Sequence, residues 1–160
     1  MLDKLAKKIL AYCDIEYLSE MPIEEHIENI CHSLEKADDK LISALKKINS
    51  LQDFLDIENP EDETLEYYFE EAKESINDNL NYLSEKIIEN CSLDFLSEQS
   101  KDSHISTLKE ALSSLSEDYF QALLQADTQN KLLEIEMPQN NTLEIYLTDM
   151  KNCIACHLYK

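Results

Sequence analysis

Residues 22–57 carry the feature that most constrains the fold, because apolar residues recur there at alternating steps of four and three. The series is Ile23, Ile27, Ile30, Leu34, Ala37, Leu41, Ala44, Ile48, Leu51 and Leu55. This spacing places every member on one stripe of an α-helix and matches the a and d positions of a heptad repeat. The pattern therefore predicts one continuous helix, whose apolar edge must be covered by partner helices of similar length.

Further helical patterns flank this segment. An amphipathic stretch predicts a first helix over 2–18, and Pro22 suits the first turn of the long helix. Asn59 and Pro60, followed by three acidic residues, predict the start of a third helix over 60–92. Its expected inner stripe is Leu65, Phe69, Ala72, Ile76, Leu80, Leu83 and Ile87. A polar break at 100–103 precedes a fourth predicted helix over 103–132.

The C-terminal region allows two interpretations. Apolar spacing from Leu143 to Met150 predicts a fifth helix capped by Asn141, whereas alternation within 132–147 is compatible with a β-hairpin around Pro138. We favour the helix because the residues from Met150 onward are also helical in pattern. A Tyr-Leu-Ser-Glu sequence at 17–20 and at 82–85 does not extend into a repeat of fixed period. The prediction is therefore a single all-α domain over 1–160, an antiparallel bundle of four to five helices.

Composition excludes several classes of function. The chain contains no Gly, so it has no P-loop, dinucleotide fingerprint or nucleophile elbow, and we predict that it is not an enzyme. A net charge of −20 repels nucleic acid and anionic membranes and favours a basic partner. The five cysteines, odd in number and irregularly spaced, indicate free thiols in a reducing cytoplasm. No stretch of about 20 apolar residues predicts a membrane span, and the N-terminal stretch does not have the pattern of a signal peptide.

The sharpest local motif is a C-x-x-C-H sequence formed by Cys153, Cys156 and His157. This spacing is the attachment pattern of c-type haem, with two thiols bonded to the porphyrin and the imidazole as axial ligand. At the end of a helical bundle it resembles the last helix of the cytochrome c′ family, which implies haem c as cofactor. The alternative is a zinc site at the same residues, with a fourth ligand from Cys31, His32 or Cys91.

Two other groups of residues come into question. His26, Cys31 and His32 flank the apolar seam, and we expect them to be half-buried packing residues. The third helix offers a candidate partner surface, since Tyr67 lies about 200° around the helix from the inward Leu65. The expected partner-binding residues are Glu63, Tyr67, Glu70, Glu71, Glu74 and Asp78. An exposed aromatic residue among carboxylates is typical of an anchor for a basic protein partner.

These observations predict a cytoplasmic protein-binding module of the inhibitor, immunity, adaptor or secretion-chaperone type. We expect no cofactor unless the C-x-x-C-H motif is used. A seam left uncovered by the chain's own helices would produce a homodimer.

Overall fold

The structure is a computed structural model that describes residues 2–14, 20–97, 99–126 and 128–158, and these residues form an all-α helical bundle, as predicted. The last part of the predicted first helix, from residue 15, lies outside the described residues. In chain order the helices are α1 (Leu2–Tyr12), α2 (Ile23–Glu35), α3 (Asp39–Lys46), α4 (Leu51–Leu55), α5 (Glu63–Glu89), α6 (Leu93–Leu96), α7 (Lys101–Ser113), α8 (Glu117–Gln125), α9 (Gln129–Glu134) and α10 (Asn141–Leu158).

The chain divides into two compact units, Met1–Asp78 and Asn79–Lys160, which have the same order of helices. Adding 78 to a residue number in the first unit gives its counterpart in the second. On this numbering α2 corresponds to α7, α3 to α8 and α4 to α9, with first residues in register. Residues 63–78 of α5 correspond to α10, and α1 corresponds to residues 80–90, which include the last part of α5. We call the two units the first and second repeat.

The sequences of the two repeats agree with this correspondence. Of the 78 residue pairs, 23 are identical. Shared residues occupy positions 2, 5, 8, 9, 13, 18, 19, 20, 26, 27, 34, 44, 45, 55, 57, 58, 60, 64, 65, 66, 68, 73 and 76 of the first repeat. The expectation that no repeat of fixed period exists was therefore wrong. The counterpart of residues 17–20 is the Phe-Leu-Ser-Glu sequence at 95–98, not the Tyr-Leu-Ser-Glu sequence at 82–85.

The predicted continuous helix over 22–57 is also wrong, because the segment is divided into α2, α3 and α4. Asp38 caps α3, accepting a hydrogen bond from the Leu41 amide at 2.8 Å. Ser50 and Asp53 form a reciprocal capping box that begins α4. Such side chains satisfy the amides at a helix start and so favour a new helix over continuation of the old one. Most of the seam is buried inside the chain, although Ile23 is exposed.

The predicted fourth helix divides at the equivalent positions. Ser116 caps α8 and Thr128 caps α9, and these residues are the counterparts of Asp38 and Ser50. The alternative hairpin over 132–147 is not formed, because α10 begins at Asn141 and Asn140 accepts a hydrogen bond from the Leu143 amide at 2.9 Å. The described residues have no positive φ angle, so the turns of this glycine-free chain need no left-handed conformation.

Each repeat buries one histidine against one tyrosine. His26 Nδ1 lies 2.5 Å from Tyr68 Oη, and His104 Nδ1 lies 2.6 Å from Tyr146 Oη. In both pairs the ring centroids are 5.6 Å apart and the rings meet edge to face. The expectation that His26 is half-buried packing was thus incorrect, since it is buried and has a specific partner.

Two lysines in each repeat hold loop carbonyls. Lys8 Nζ donates to Ile48 O at 3.1 Å, and its counterpart Lys86 donates to Ala126 O. Lys73 Nζ donates to Ile57 O at 2.5 Å, and its counterpart Lys151 donates to Ile135 O. All four lysines are partly buried, so these contacts connect helices to the loops that pack against them. The shared lysines therefore have a structural role in both repeats.

Ser84 supplies a test of the repeat correspondence. It is fully buried and its hydroxyl is the one buried side-chain polar atom without a hydrogen-bond partner in the described residues; its counterpart Ala6 is also fully buried. An unsatisfied buried hydroxyl is destabilising, so Ser84→Ala should stabilise the protein by about 1 kcal/mol. The midpoint of urea unfolding measures the change. The reciprocal Ala6→Ser should lower the midpoint, and a destabilised Ser84→Ala protein would contradict the assignment.

The histidine–tyrosine pairs give a second stability prediction. Tyr68→Phe and Tyr146→Phe each remove the hydroxyl that pairs with a buried imidazole, and each should cost about 1–2 kcal/mol of unfolding free energy. Tyr82→Phe is the matched control, because the Tyr82 side chain is exposed and its loss of a hydroxyl should change stability by less than about 0.5 kcal/mol. Equal denaturation curves for all three variants would show that the buried pairs do not stabilise the repeats.

Candidate functional site

The candidate partner surface is the outer side of α5 within the first repeat. The helix packs inward through Leu65, Phe69, Ala72 and Ile76, all of which are buried as predicted. The outward residues follow one another at steps of three or four and so lie on one stripe. The exposed members of this acidic face are Glu63, Tyr67, Glu70, Glu74 and Asp78. The Tyr67 side chain is 44 % exposed and its ring meets that of Tyr68 edge to face.

The electrostatics of the acidic face are uncompensated within the described part of the chain. No lysine or histidine there forms an ion pair with Glu63, Glu70, Glu74 or Asp78. Lys73 lies on the same helix, but its ammonium donates to the Ile57 carbonyl. Burial lowers the pKa of Lys73, opposed by the nearby Asp56 carboxylate. The face therefore carries a net negative charge that a cationic partner can neutralise.

Glu71 differs from the other predicted partner-binding residues because it is half-buried. Partial burial, followed by the charges of Glu74 and Asp14, raises its pKa. Its counterpart Asp149 accepts hydrogen bonds from the Ser92 amide at 2.8 Å and the Ser92 hydroxyl at 3.2 Å. The second repeat thus uses this carboxylate to hold the start of α6, whereas the first repeat sets it beside Asp14.

The second repeat has a face at the same position on α10, and we call it the neutral face. Its exposed members are Asn141, Ile145, Thr148, Asn152 and Cys156, the counterparts of the five residues of the acidic face. All four acidic residues are replaced by uncharged ones, while position 145 keeps a large apolar side chain that is 57 % exposed. The pattern of the first repeat alone gave no indication of this surface; comparison at an offset of 78 reveals it.

The acidic residues before α5 have mixed roles. Asp53 belongs to the capping box of α4, Asp56 accepts a hydrogen bond from Gln52 at 2.7 Å, and Asp62 accepts one from the Leu65 amide at 3.1 Å. The bond from Leu65 is the main reason that the pKa of Asp62 is lowered. Glu58 and Glu61 are exposed and extend the negative charge toward the start of α5.

The C-x-x-C-H motif lies at the end of α10 and occurs in the second repeat alone. The Cys153 thiol lies 3.8 Å from a carboxylate oxygen of Asp149, and Cys156 is exposed. His157 belongs to the helix, but its side chain lies outside the described residues. Among the side chains that are described, no group of three or more histidine, cysteine or acidic residues is arranged to hold a metal ion. Haem c or zinc at these residues stays a prediction.

The other cysteines are set apart from this motif. Cys13 and Cys91 are counterparts, and their thiols donate to the backbone carbonyls of Tyr68 and Tyr146, each at 3.6 Å. Burial raises the pKa of both thiols to about 12, with smaller contributions from Glu71 and Asp149 respectively. Cys31 donates to the Asp3 carboxylate at 3.2 Å, and His32 is exposed. A protonated, buried thiol is typical of a packing residue and not of a nucleophile.

Comparisons with protein-family models, curated proteins and solved structures gave no match. Within the described ranges, none of the helices combines the length and apolar character needed to cross a membrane.

The buried thiols predict a loss of stability in alkali. Cys13 keeps its proton in the folded state up to a pKa of about 12 but releases it near 9.0 when unfolded. The unfolded state therefore binds fewer protons above this lower value, so unfolding free energy should fall as pH rises from about 9 to about 12. Urea unfolding across this range measures the slope, which Cys13→Ala should reduce.

Tyr119 provides the control for this slope, because its pKa is also raised to about 12, chiefly by burial. Tyr119→Phe should reduce the alkaline slope without changing the alkylation of cysteines. In the folded wild-type protein, iodoacetamide should modify the exposed Cys156 at least about tenfold faster than Cys13 or Cys91. Equal rates at all three would contradict the placement of the buried thiols.

Proposed function

We propose that this chain is a protein-binding module that docks a basic partner through the acidic face of α5. One observation carries the proposal. The fold does not require the acidic residues of this face, because the second repeat builds the same helix with uncharged residues at the four equivalent positions. Carboxylates that the fold does not need, placed around an exposed aromatic ring, suit recognition of a cationic surface.

The distribution of charge supports the same interpretation. The first repeat contains 21 acidic residues and 8 lysines, whereas the second contains 13 and 6. Negative charge is thus concentrated in the repeat that carries the acidic face, where it can steer a basic partner during association. Inhibitors, immunity proteins, adaptors and secretion chaperones work by such occlusion or docking, without catalysis. The five free thiols agree with a cytoplasmic location in this proposal.

The proposed mechanism is docking of a partner helix or loop whose lysine or arginine residues oppose the acidic face. Tyr67 would fill an apolar contact at the centre, while Glu63, Glu70 and Glu74 pair with the surrounding cations. A second copy of this chain is a poor occupant of this face, since two such faces would repel each other. Homodimerisation therefore remains a separate prediction that involves other surfaces.

A synthetic amphipathic peptide with lysine and leucine at helical spacing is a suitable probe. Fluorescence anisotropy should show saturable binding that weakens as salt rises from low to moderate concentration. Replacing Glu70→Thr and Glu74→Asn, the residues of the second repeat, should weaken binding about three- to tenfold. The matched control, Glu24→Gln with Glu28→Gln, removes two exposed charges from α2 and should change affinity by less than about twofold.

A graft makes the test reciprocal. Thr148→Glu with Asn152→Glu places carboxylates on α10 at the positions equivalent to Glu70 and Glu74, and should add a second, weaker binding site for the lysine peptide. An affinity that is indifferent both to salt and to charge reversal at Glu70 and Glu74 would refute the proposed function.

A further inference from the structure

The two repeats retain an exposed apolar side chain at one equivalent position. Tyr67 and Ile145 have the same place on corresponding helices, and both project away from the buried stripe of their own repeat. The residues around them have diverged from acidic to uncharged, yet this position has stayed large, apolar and exposed. Nothing in the packing of either repeat requires it, because the inward positions of α10 are filled by Leu143, Leu147 and Met150.

We propose that the neutral face of α10 is a second docking surface, and that its occupant is an uncharged amphipathic helical segment of a partner protein. The inference goes beyond the acidic face, since it concerns the other repeat and a different partner chemistry. Ile145 would be its apolar anchor, as Tyr67 is proposed to be for the first repeat.

Charge selects this occupant. The five positions of the neutral face carry amide, hydroxyl, thiol and aliphatic groups and no ionised side chain. A lysine-rich segment gains no ion pair there, and an acidic segment is repelled by the negative charge of the whole chain. An uncharged segment avoids both costs, and it can bury its apolar residues against Ile145 while Asn141, Thr148 and Asn152 hydrogen-bond its polar flanks.

The dimensions of the face suit a helix. Residues 141–156 cover about four turns of α10, or roughly 24 Å along the helix axis. A helix of similar length lying along this face would present an apolar residue to Ile145 and polar side chains to the positions on either side. We therefore expect recognition by a helical stripe with apolar residues at steps of three and four.

The test uses the full chain and two synthetic helical peptides that share one leucine pattern. In one peptide the remaining positions are glutamine and serine, and in the other they are lysine. Isotope-edited NMR should place the shifts caused by the uncharged peptide on residues 141–156, with an affinity independent of salt. Ile145→Ala should weaken that binding at least about tenfold, whereas Tyr67→Ala should change it by less than about twofold.

The lysine peptide separates this inference from the proposed function. Loss of its binding to Tyr67→Ala, together with unchanged binding to Ile145→Ala, would leave the proposed function intact whatever the uncharged peptide does. The second docking surface would be overturned by absence of saturable binding of the uncharged peptide, or by binding that Ile145→Ala does not weaken. A homodimer in sedimentation equilibrium that Ile145→Ala dissociates would also overturn it, because the occupant would then be a second copy.

Discussion

The buried hydrogen bond between an imidazole and a phenol is the interaction around which each repeat is built. It joins α2 to α5 in the first repeat and α7 to α10 in the second, across 42 residues of sequence in both. Burying either ring alone would leave a polar atom without water or a partner, so each ring is stable only in the presence of the other. In the second repeat the histidine also approaches the Leu96 carbonyl through Nε2, at 3.1 Å, which fixes the ring from both sides.

The repeats together provide a comparison within one molecule between what the fold needs and what it permits. Positions that form the core, the histidine–tyrosine pair, the buried thiol and the lysine contacts are the same in both. The outward faces of α5 and α10 differ in charge although their helices begin at equivalent residues. This division between retained interior and altered exterior is why the outer faces, and not the buried cysteines or histidines, carry the functional proposals.

Local periodicity predicted part of this structure correctly. The inner stripe expected for the third helix, from Leu65 to Ile87, is buried throughout. The predicted helix over 22–57 failed because spacings of three and four can continue across a break without an obvious disturbance. After the interruption at Asp38 the buried residue is Leu45, not the predicted Ala44; after Ser116 it is Leu123, not Ala122. The capping signals were present in the sequence, but apolar spacing was given more weight.

The candidate site was only half visible by the same reasoning. Helical geometry is sufficient to place Tyr67 and its carboxylates on one outer face, and the structure has them there. The neutral face has no charge pattern of its own and becomes recognisable only beside its counterpart. A short match at the wrong offset, 17–20 with 82–85, concealed the true correspondence, in which identical residues are scattered and most are buried.

The lysine contacts with loop carbonyls have a consequence for how the chain can change in length. Lys8 and Lys73 reach carbonyls on either side of α4, and their counterparts do the same around α9. An added or deleted residue in those connections would shift the carbonyl out of reach of an ammonium group that is already partly buried. Spacing between these anchor points is thus constrained as strictly as side-chain identity, which accounts for two sequences that differ at most positions yet remain aligned without insertions.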